Sequence, residues 1–233
     1  MIRKIFTLIL VFNLSSCAEL QQVVNQLPQG GIGNAEIASG LRQALDFGID
    51  KQVTKLTQTD GFFKNELVKI LLPEELHKVD KALRDIGLSK LADEGLKVLN
   101  RAAEDAVKEA TPIFVNAVKD ITFADAKNIL LGKDNAATQY LTSKTEAALY
   151  TKFNPVIKNS FGKVGADQIW ENLINKYNAI PFTNNINPDL TDYVTTEALK
   201  GVYTMIAIEE KDIRTKFSSR TTNLLKKVFA LQD

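Results

Sequence analysis

Residues 34–61, NAEIASGLRQALDFGIDKQVTKLTQTDG, place an apolar side chain at almost every fourth position. Five residues form this ladder: Ile37, Leu41, Leu45, Ile49 and Val53. Because a helix turns once in about 3.6 residues, apolar residues at this spacing share one face and predict an amphipathic helix packed on a core. The pair Asp60-Gly61 interrupts the pattern, since aspartate and glycine both favour turns.

The rest of the chain repeats helical periodicity between turn signals, without an alternating strand pattern of useful length. Capping signals occur at Thr122 with Asp125 and at Ser143 with Glu146. Pro155 is predicted to bend or divide the helix that Ser143 starts. Five further helices are predicted with both bounds, over residues 73–87, 88–110, 166–178, 189–216 and 219–231. Three more are predicted by their first residues alone, at 112, 122 and 134. This organisation predicts a single all-α domain over residues 34–233, an irregular helical bundle of about nine helices.

The first sixteen residues have the features of a bacterial export signal. Arg3 and Lys4 precede an apolar run over residues 5–14. A basic start, an apolar core of about ten residues and small residues before a cut are typical of a secretory signal. Because a membrane-spanning helix needs roughly twenty apolar residues, this run is too short to remain as an anchor. Residues 1–16 are therefore predicted to be a cleaved signal peptide.

Cys17 is the only cysteine of the chain, and it follows Leu14-Ser15-Ser16, a sequence that resembles a bacterial lipobox. In such signals the thiol is diacylated and the cysteine becomes the mature N-terminus, so Cys17 is the predicted lipidation site. Two or three acyl chains bind a membrane durably, because each buried methylene contributes about 0.8 kcal/mol. The alternatives are an ordinary secretory signal with an incidental thiol, or an N-terminal core helix.

Residues 17–33 are predicted to be the lipidated N-terminus and a flexible tether, because Pro28, Gly30, Gly31 and Gly33 oppose regular structure. As a coil, the residues after Cys17 span roughly 20–24 Å. Ala18 stands where an aspartate would favour the inner membrane in enteric bacteria. We therefore expect a cell-envelope protein on the periplasmic face of the outer membrane, with surface exposure left open.

Charge and cysteine content exclude several classes of protein. The chain has 29 basic and 28 acidic residues without a block of like charge, so nucleic acid is not a predicted partner. Because no cysteine follows Cys17, a disulfide framework is excluded and the domain depends on its apolar core. The predicted partners are the membrane, through acyl chains on Cys17, and either an envelope protein or a lipid-like ligand.

Six stretches resemble a bacterial family known as domain of unknown function 4197, in the order that the family shows. They are LLPEELHKVDKALRDIGL (71–88), NRAAEDAVKEATPIFVNAVKDIT (100–122), AATQYL (136–141), YNAIPF (177–182), DLTDYVTTEALKGVY (189–203) and EEKDIRTKFSSRTTNLLKKVF (209–229). The resemblance extends from about Leu41 to Phe229, and it implies an exported helical protein without an assigned activity. The sequence departs from the family at Lys216-Phe217, where the family implies an Asp-Pro-like turn.

Glu74 and His77 form one Glu-x-x-His pair of the kind that di-iron helical bundles use twice. His77 is the only histidine, so a second pair is absent and a zinc site lacks ligands. We therefore expect no metal, no cofactor and a surface position for His77. A hydrolase based on His77 lacks a Gly-x-Ser-x-Gly elbow, and the glycines at 30–33 lack the Lys-Ser/Thr of a phosphate loop. No catalytic residue is predicted.

Six polar residues in the family-like stretches form the candidate site. They are Asn100, Arg101, Glu104, Glu210, Arg214 and Arg220. Residues three or four apart are neighbours on a helix, which applies to Arg101 with Glu104 and to Glu210 with Arg214. If the two helices pack together, the set forms a polar pocket for an anionic ligand, which arginine suits, or a structural network of ion pairs that fixes helix register. The structural interpretation is the one we prefer.

Two functions from different classes fit these features. The first is a non-enzymatic interaction or assembly module, lipid-anchored in the envelope. The alternative is a carrier of a lipid or small amphiphile, which requires a continuous apolar cavity of several hundred cubic ångströms. A third and weaker interpretation is an envelope hydrolase with paired carboxylates about 5–9.5 Å apart across a cleft.

Overall fold

The computed structural model describes residues 33–232 except residues 86, 88, 164–169, 172–173, 176–177 and 180–188. The predicted signal peptide, Cys17 and the tether up to residue 32 therefore lie outside the described residues, as does most of the helix predicted over 166–178. Ala35–Asp233 forms a compact unit. Its described part contains helices and turns but no β-strand, so the all-α prediction is confirmed.

Eight α-helices have bounds within the described residues: α1 (Asn34–Leu56), α2 (His77–Asp85), α3 (Ser89–Val107), α4 (Ala110–Lys119), α5 (Phe123–Leu130), α6 (Ala136–Lys163), α7 (Thr191–Thr215) and α8 (Asn223–Phe229). Short 3-10 helices over Glu74–Leu76 and Phe217–Ser219 precede α2 and α8. Trp170, Ile174 and Asn178 are also helical, within the helix predicted over 166–178. This number of helices agrees with the prediction of about nine.

Three long helices, α3, α6 and α7, form the centre of the domain, and each packs against the other two. Ala103 and Ala106 of α3 are fully buried, and their small side chains allow neighbouring helices to approach closely. Leu141 and Phe153 of α6 and Val202 of α7 fill the remaining space and are also fully buried. Because burying a leucine or phenylalanine side chain contributes about 1.5–3 kcal/mol, this contact supplies a large part of the apolar stabilisation.

Helix α1 packs closely on α8 through a glycine. A Cβ atom on Gly40 would lie 2.5 Å from Val228 Cγ2, so a larger residue at this position pushes the two helices apart. The apolar ladder predicted for α1 faces the core, with Ile37 half-buried at its start. The other four members of the ladder are buried: Leu41, Leu45, Ile49 and Val53.

Helix α6 is continuous, so the helix start predicted at Ser143 is wrong and Pro155 does not divide the helix. Ser143 Oγ donates a hydrogen bond to the Tyr140 carbonyl at 2.7 Å within the helix instead of capping a new one. Pro155 lies between Phe153 and Ile157, which are both fully buried. Their burial on either side offsets the roughly 3 kcal/mol that an interior proline costs a helix.

The capping box predicted at the start of α5 is confirmed. Asp125 N donates to Thr122 Oγ1 at 3.1 Å, and Thr122 N donates to Asp125 Oδ2 at 3.0 Å. These hydrogen bonds from Thr122 hold the pKa of the Asp125 carboxyl below its ordinary value. Thr222 caps α8 in a related way, because its Oγ1 accepts from Leu225 N at 3.2 Å.

Two predicted helix boundaries are shifted. The long helix predicted over 88–110 ends at Val107. Helix α4 follows with Pro112 in its first turn, where the missing N–H of proline removes no helical hydrogen bond. The last helix begins at Asn223 rather than at Ser219, because the 3-10 turn and the threonine cap occupy the intervening residues.

Tyr203 joins α7 to α4 and α6 in the core. Its hydroxyl donates to Thr145 Oγ1 at 2.8 Å, because the Thr145 hydrogen is already donated to the Leu141 carbonyl at 2.7 Å. Its ring meets the Phe114 ring edge-on, with 6.0 Å between centroids. Burial raises the pKa of the Tyr203 phenol to about 12, above the value of about 10 for an exposed tyrosine.

We expect the free energy of unfolding to fall by roughly 2 kcal/mol between about pH 10 and pH 12 because of Tyr203. The unfolded chain releases this proton near pH 10, whereas the folded chain keeps it until a higher pH. Tyr203→Phe removes this dependence and costs about 1 kcal/mol near pH 8 through the lost hydrogen bond. Urea unfolding of both proteins across this range measures the difference, and a difference that does not change with pH would contradict the expectation.

Candidate functional site

A long connection without a helix joins α1 to the 3-10 helix before α2. We name residues 57–73 the clamped loop; it consists of turns and of residues without regular secondary structure. Connections longer than about 12–15 residues are uncommon in compact domains and are often functional. Four apolar side chains anchor the loop in the core: Phe62, Val68, Ile70 and Leu72.

Asn100 of α3 holds the second half of the clamped loop. Its Oδ1 accepts from Ile70 N at 2.8 Å, and its Nδ2 donates to the Ile70 carbonyl at 2.9 Å. Asn100 is fully buried and Ile70 is 1% exposed, so both bonds form away from water. An unpaired polar group there costs about 1–3 kcal/mol. An amide suits this position because it presents a donor and an acceptor together.

Glu104 and Arg101 of α3 hold the first half of the clamped loop. Glu104 Oε1 accepts from Phe62 N at 3.1 Å, and its Oε2 accepts from Arg101 Nη1 at 2.6 Å. Arg101 Nη2 donates to Asp60 Oδ1 at 2.5 Å. The Glu104 side chain is 5% exposed, so the guanidinium compensates a carboxylate that has left water.

Asp60 and Gly61 make the sharp turn that the sequence indicated. Asp60 has a φ angle of 67°, in the left-handed region. A Cβ atom on Gly61 would lie 2.5 Å from the Leu56 carbonyl oxygen, so the turn requires glycine. A hydrogen bond from Lys64 and the nearby charge of Arg101 hold the pKa of the Asp60 carboxyl below its ordinary value. Asp60 therefore stays ionised at neutral pH and keeps both cations at the turn.

The outer surface of the clamped loop presents two leucine side chains to solvent. Leu67 is 66% exposed and Leu71 is 57% exposed. Tyr193 of α7 donates its hydroxyl hydrogen to the Leu71 carbonyl at 2.8 Å, which fixes the backbone from a second helix. The Lys69 ammonium lies 4.9 Å from the centroid of the Phe63 ring. The loop backbone is thus held firmly while the two leucines remain in water.

Glu210 of α7 caps the N-terminal end of α6. Its Oε1 accepts from Ala137 N at 2.9 Å, and its Oε2 accepts from Thr138 N and Thr138 Oγ1, both at 2.8 Å. The first N–H groups of a helix lack partners within the helix, and the helix dipole favours a negative charge beside them. Glu210 therefore satisfies the start of α6 from another helix.

Arg214 lies one turn after Glu210 and binds the end of α5. Its Nε and Nη2 donate to Glu210 Oε1 at 3.0 and 2.8 Å. Its Nη1 and Nη2 donate to the Leu130 and Ile129 carbonyls at 3.1 and 2.8 Å. The Arg214 and Glu210 side chains are 5% and 6% exposed. We name this buried pair the Glu210–Arg214 lock, because it joins the end of α5 to the start of α6.

Arg220 lies beyond the C-terminal end of α7. Its Nε and Nη2 donate to the Ile213 and Arg214 carbonyls at 3.1 and 2.8 Å. Its guanidinium carbon lies 6.0 Å from the centroid of the Phe229 ring. The last carbonyls of a helix lack partners within it and favour a positive charge, so Arg220 terminates α7 and connects it to α8.

Glu209 points to the other side of α7 and holds α1. Its two oxygens accept from Lys51 Nζ and Gln52 Nε2, both at 2.7 Å. A Cβ atom on Gly48 would lie 3.3 Å from Glu209 Cγ, so α1 passes close to this carboxylate. Sequence reasoning did not include these residues in the candidate site, because the contact joins residues more than 150 positions apart.

The structure places the six predicted site residues in two sets. Asn100, Arg101 and Glu104 hold the clamped loop. The second set binds the ends of helices: Glu210, Arg214 and Arg220. Within the described residues, no hydrogen bond or ion pair joins the two sets. Cys17 lies outside the described residues.

Residues 31–230 match the family described as Protein of unknown function (DUF4197). The chain belongs to this family. The match includes the clamped loop and both polar sets of this DUF4197 protein. At Lys216 the backbone is extended, and a 3-10 turn over Phe217–Ser219 follows. Comparisons with curated proteins and with solved structures find no match.

The cavities of the DUF4197 protein bear on the carrier hypothesis. The cavity beside the Glu210–Arg214 lock is lined mainly by apolar side chains and has a volume of about 20 Å³, which is room for one water molecule. A hollow of about 240 Å³ lies beside Trp170 and Lys158, and a hollow of about 460 Å³ follows the polar face of α1. The apolar cavity is far smaller than an amphiphile requires.

His77 lies on the surface at the first residue of α2, as the sequence predicted. Its Nε2 is 3.2 Å from the Leu72 carbonyl, at the end of the clamped loop. The described residues contain no group of three side chains able to hold a metal ion. Among them, no helix has the length and apolar character needed to cross a bilayer.

Proposed function

We propose that this DUF4197 protein is a lipid-anchored bacterial envelope protein that acts as a non-enzymatic interaction or assembly module. The observation that supports the proposal is the conformation of the clamped loop. Helices α3 and α7 fix its backbone, and it presents Leu67 and Leu71 to solvent. Loops positioned by a rigid scaffold are common carriers of binding function. The proposed partner is another envelope protein that covers these two leucines.

The anchoring part of the proposal rests on the N-terminal sequence. Arg3 and Lys4, the apolar run and the lipobox-like residues before Cys17 support export and acylation. The proposed location is the periplasmic face of the outer membrane. Mass spectrometry of the protein extracted from its own membranes tests this part: we expect a chain that begins at acylated Cys17 and lacks residues 1–16.

The buried carboxylates support a binding role without catalysis. Both oxygens of Glu104 accept hydrogen bonds from the protein itself, and so do both oxygens of Glu210. A catalytic acid or base must reach the substrate proton. The carboxylates of Glu104 and Glu210 hold the clamped loop and the helix ends, so we assign them a structural role.

Crosslinking at the clamped loop tests the interaction. A photoreactive amino acid at Leu67 in cells that make the full-length protein is expected to crosslink one envelope protein. The purified partner is then titrated against the acylated protein in detergent. Leu67→Ser/Leu71→Ser is expected to weaken binding by at least about tenfold, because burying each leucine side chain contributes about 1.5–3 kcal/mol.

Leu131 provides the matched control, because it is a leucine with 62% exposure far from the clamped loop in sequence. Leu131→Ser is expected to leave the affinity for the purified partner unchanged. Equal crosslinking from positions 67 and 131, or an affinity that Leu67→Ser/Leu71→Ser does not alter, would overturn the interaction proposal. That result would leave the test of Cys17 acylation unaffected.

A further inference from the structure

Three large apolar side chains are exposed where α5, α7 and α8 end. Leu131 is 62% exposed, Phe217 is 64% exposed and Leu231 is 48% exposed. The Gln232 side chain donates a hydrogen bond to the carbonyl of Leu130, the last residue of α5, and this contact brings Leu231 close to Leu131. Lys226 Nζ lies 5.4 Å from the centroid of the Phe217 ring, which places this ring beside α8. We name these three residues the apolar end; exposed apolar clusters mark interaction surfaces.

The chain enters the domain beside the apolar end. Thr222 at the start of α8 donates to Gln43 Oε1 at 2.8 Å, and Lys227 near its end donates to Glu36 at 2.9 Å. Helix α8 therefore runs antiparallel to the first half of α1, and Leu231 lies near the first turn of α1. The predicted tether precedes α1 in the sequence, and as a coil it places the proposed acylated cysteine on average roughly 20–24 Å from this end.

The segments that carry the apolar end are basic, although the whole chain is balanced. Residues 127–134 and 215–232 together hold five lysines and one acidic residue, Asp134, besides Arg220, which is buried. Two of the lysines share ion pairs, Lys216 with Asp212 and Lys227 with Glu36, and their side chains remain 59% and 43% exposed. The clamped loop, by comparison, has two basic and two acidic residues.

We propose that the apolar end binds the surface of an anionic bilayer, the one that holds the acyl chains. This inference rests on the proposed acylation of Cys17. Apolar side chains that enter the interface and lysines near anionic headgroups are the two contributions that hold peripheral proteins on membranes. The tether keeps the bilayer at high effective concentration, so a contact too weak to recruit a free protein is sufficient.

This orientation directs the clamped loop away from the membrane. Helix α1 has 23 residues, which corresponds to a length of about 35 Å. The apolar end lies near the start of α1 and the clamped loop follows its end. The domain therefore stands on the bilayer and presents Leu67 and Leu71 on the side where a protein partner has access.

Quenching of a fluorophore by lipids tests the proposal on the acylated full-length mature protein. Leu131→Cys and Leu67→Cys proteins are labelled with one thiol-reactive fluorophore and reconstituted into vesicles that contain phosphatidylglycerol and brominated lipids. We expect the label at 131 to be quenched at least about threefold more than the label at 67, because only the former lies at the interface. The difference is expected to shrink in about 0.5 M salt, where charges are screened within a few ångströms.

A second pair of variants tests whether the named side chains are responsible. Phe217→Ser/Leu231→Ser is expected to reduce quenching of the label at 131, whereas Leu71→Ser is not. Equal quenching at positions 131 and 67 overturns the proposal and indicates a domain that moves freely above the bilayer. Energy transfer between labels on different molecules, without quenching by the lipids, overturns it and indicates that a second copy of the chain covers the apolar end. If the protein carries two labels, or does not partition into vesicles, Cys17 is not acylated and the proposed anchoring fails instead.

Discussion

Arg214→Met is expected to lower the free energy of unfolding by about 3–5 kcal/mol, because it removes one partner of a buried ion pair. The substitution leaves the Glu210 carboxylate without its cation and removes the Arg214 hydrogen bonds to the Ile129 and Leu130 carbonyls. For a domain of this size, such a loss lowers Tm by roughly 10 °C. Thermal and urea unfolding followed by circular dichroism measure both quantities.

Lys216→Met is the matched control for Arg214→Met. Lys216 follows the same helix and pairs with Asp212 at 2.7 Å, but its side chain is 59% exposed. An exposed ion pair contributes about 0–1 kcal/mol, so this variant is expected to unfold almost like the parent. A loss below about 1 kcal/mol for Arg214→Met would show that the Glu210–Arg214 lock does not stabilise the domain.

The double variant Glu210→Gln/Arg214→Met separates the pair from its surroundings. If the two side chains act together, the combined loss is smaller than the sum of the single losses by about 0.5–3 kcal/mol. If the loss in the double variant equals the sum of the two single losses, each residue contributes only through its backbone partners. Those partners are the start of α6 for Glu210 and the end of α5 for Arg214.

The helical part of the fold follows directly from local sequence. The apolar ladder of α1, with a residue at every fourth position, and the capping box at Thr122 are short-range patterns, and both are present in the structure. Ser143 shows why a local pattern is insufficient elsewhere. Its spacing from Glu146 matches a capping box, but the flanking residues of α6 are buried in one continuous helix, so tertiary packing decides the outcome.

The polar sets show a second limit of sequence reasoning. Helical spacing correctly indicates that Arg101 lies beside Glu104 and that Glu210 lies beside Arg214. It does not indicate which element lies opposite each pair. The opposite element is the clamped loop for the first pair and the α5–α6 junction for the second. These partners lie between 41 and 85 residues away in sequence, where spacing within a helix carries no information.

The clamped loop itself was visible in the sequence only as a break at Asp60-Gly61. Its apolar residues lack a helical period, and the backbone N–H groups of Phe62 and Ile70 find their acceptors on α3 rather than within the loop. The sequence of residues 57–73 therefore predicts turns, but it does not predict that α3 holds them in one conformation. The buried amide of Asn100 is the local signal, since a buried asparagine needs a specific polar partner.

Asn100→Ala is expected to destabilise the domain by about 2–4 kcal/mol, because the N–H and carbonyl of buried Ile70 both lose their partner. The effect is expected to concentrate in the loop. Amide hydrogen exchange over residues 57–73 should accelerate at least about tenfold more than exchange in the centre of α6. Asn116→Ala, at an exposed asparagine of α4, is the matched control and should change neither quantity.

The same variant connects stability to the proposed interaction. Asn100 is buried beneath the loop, so it cannot contact a partner that covers Leu67 and Leu71. If the partner requires the held conformation of the loop, Asn100→Ala weakens binding at temperatures where the domain remains folded, because ordering the loop then opposes association. Unchanged affinity together with faster exchange in the loop would show that the partner binds elsewhere. Unchanged exchange would show that the Asn100 hydrogen bonds do not hold the loop.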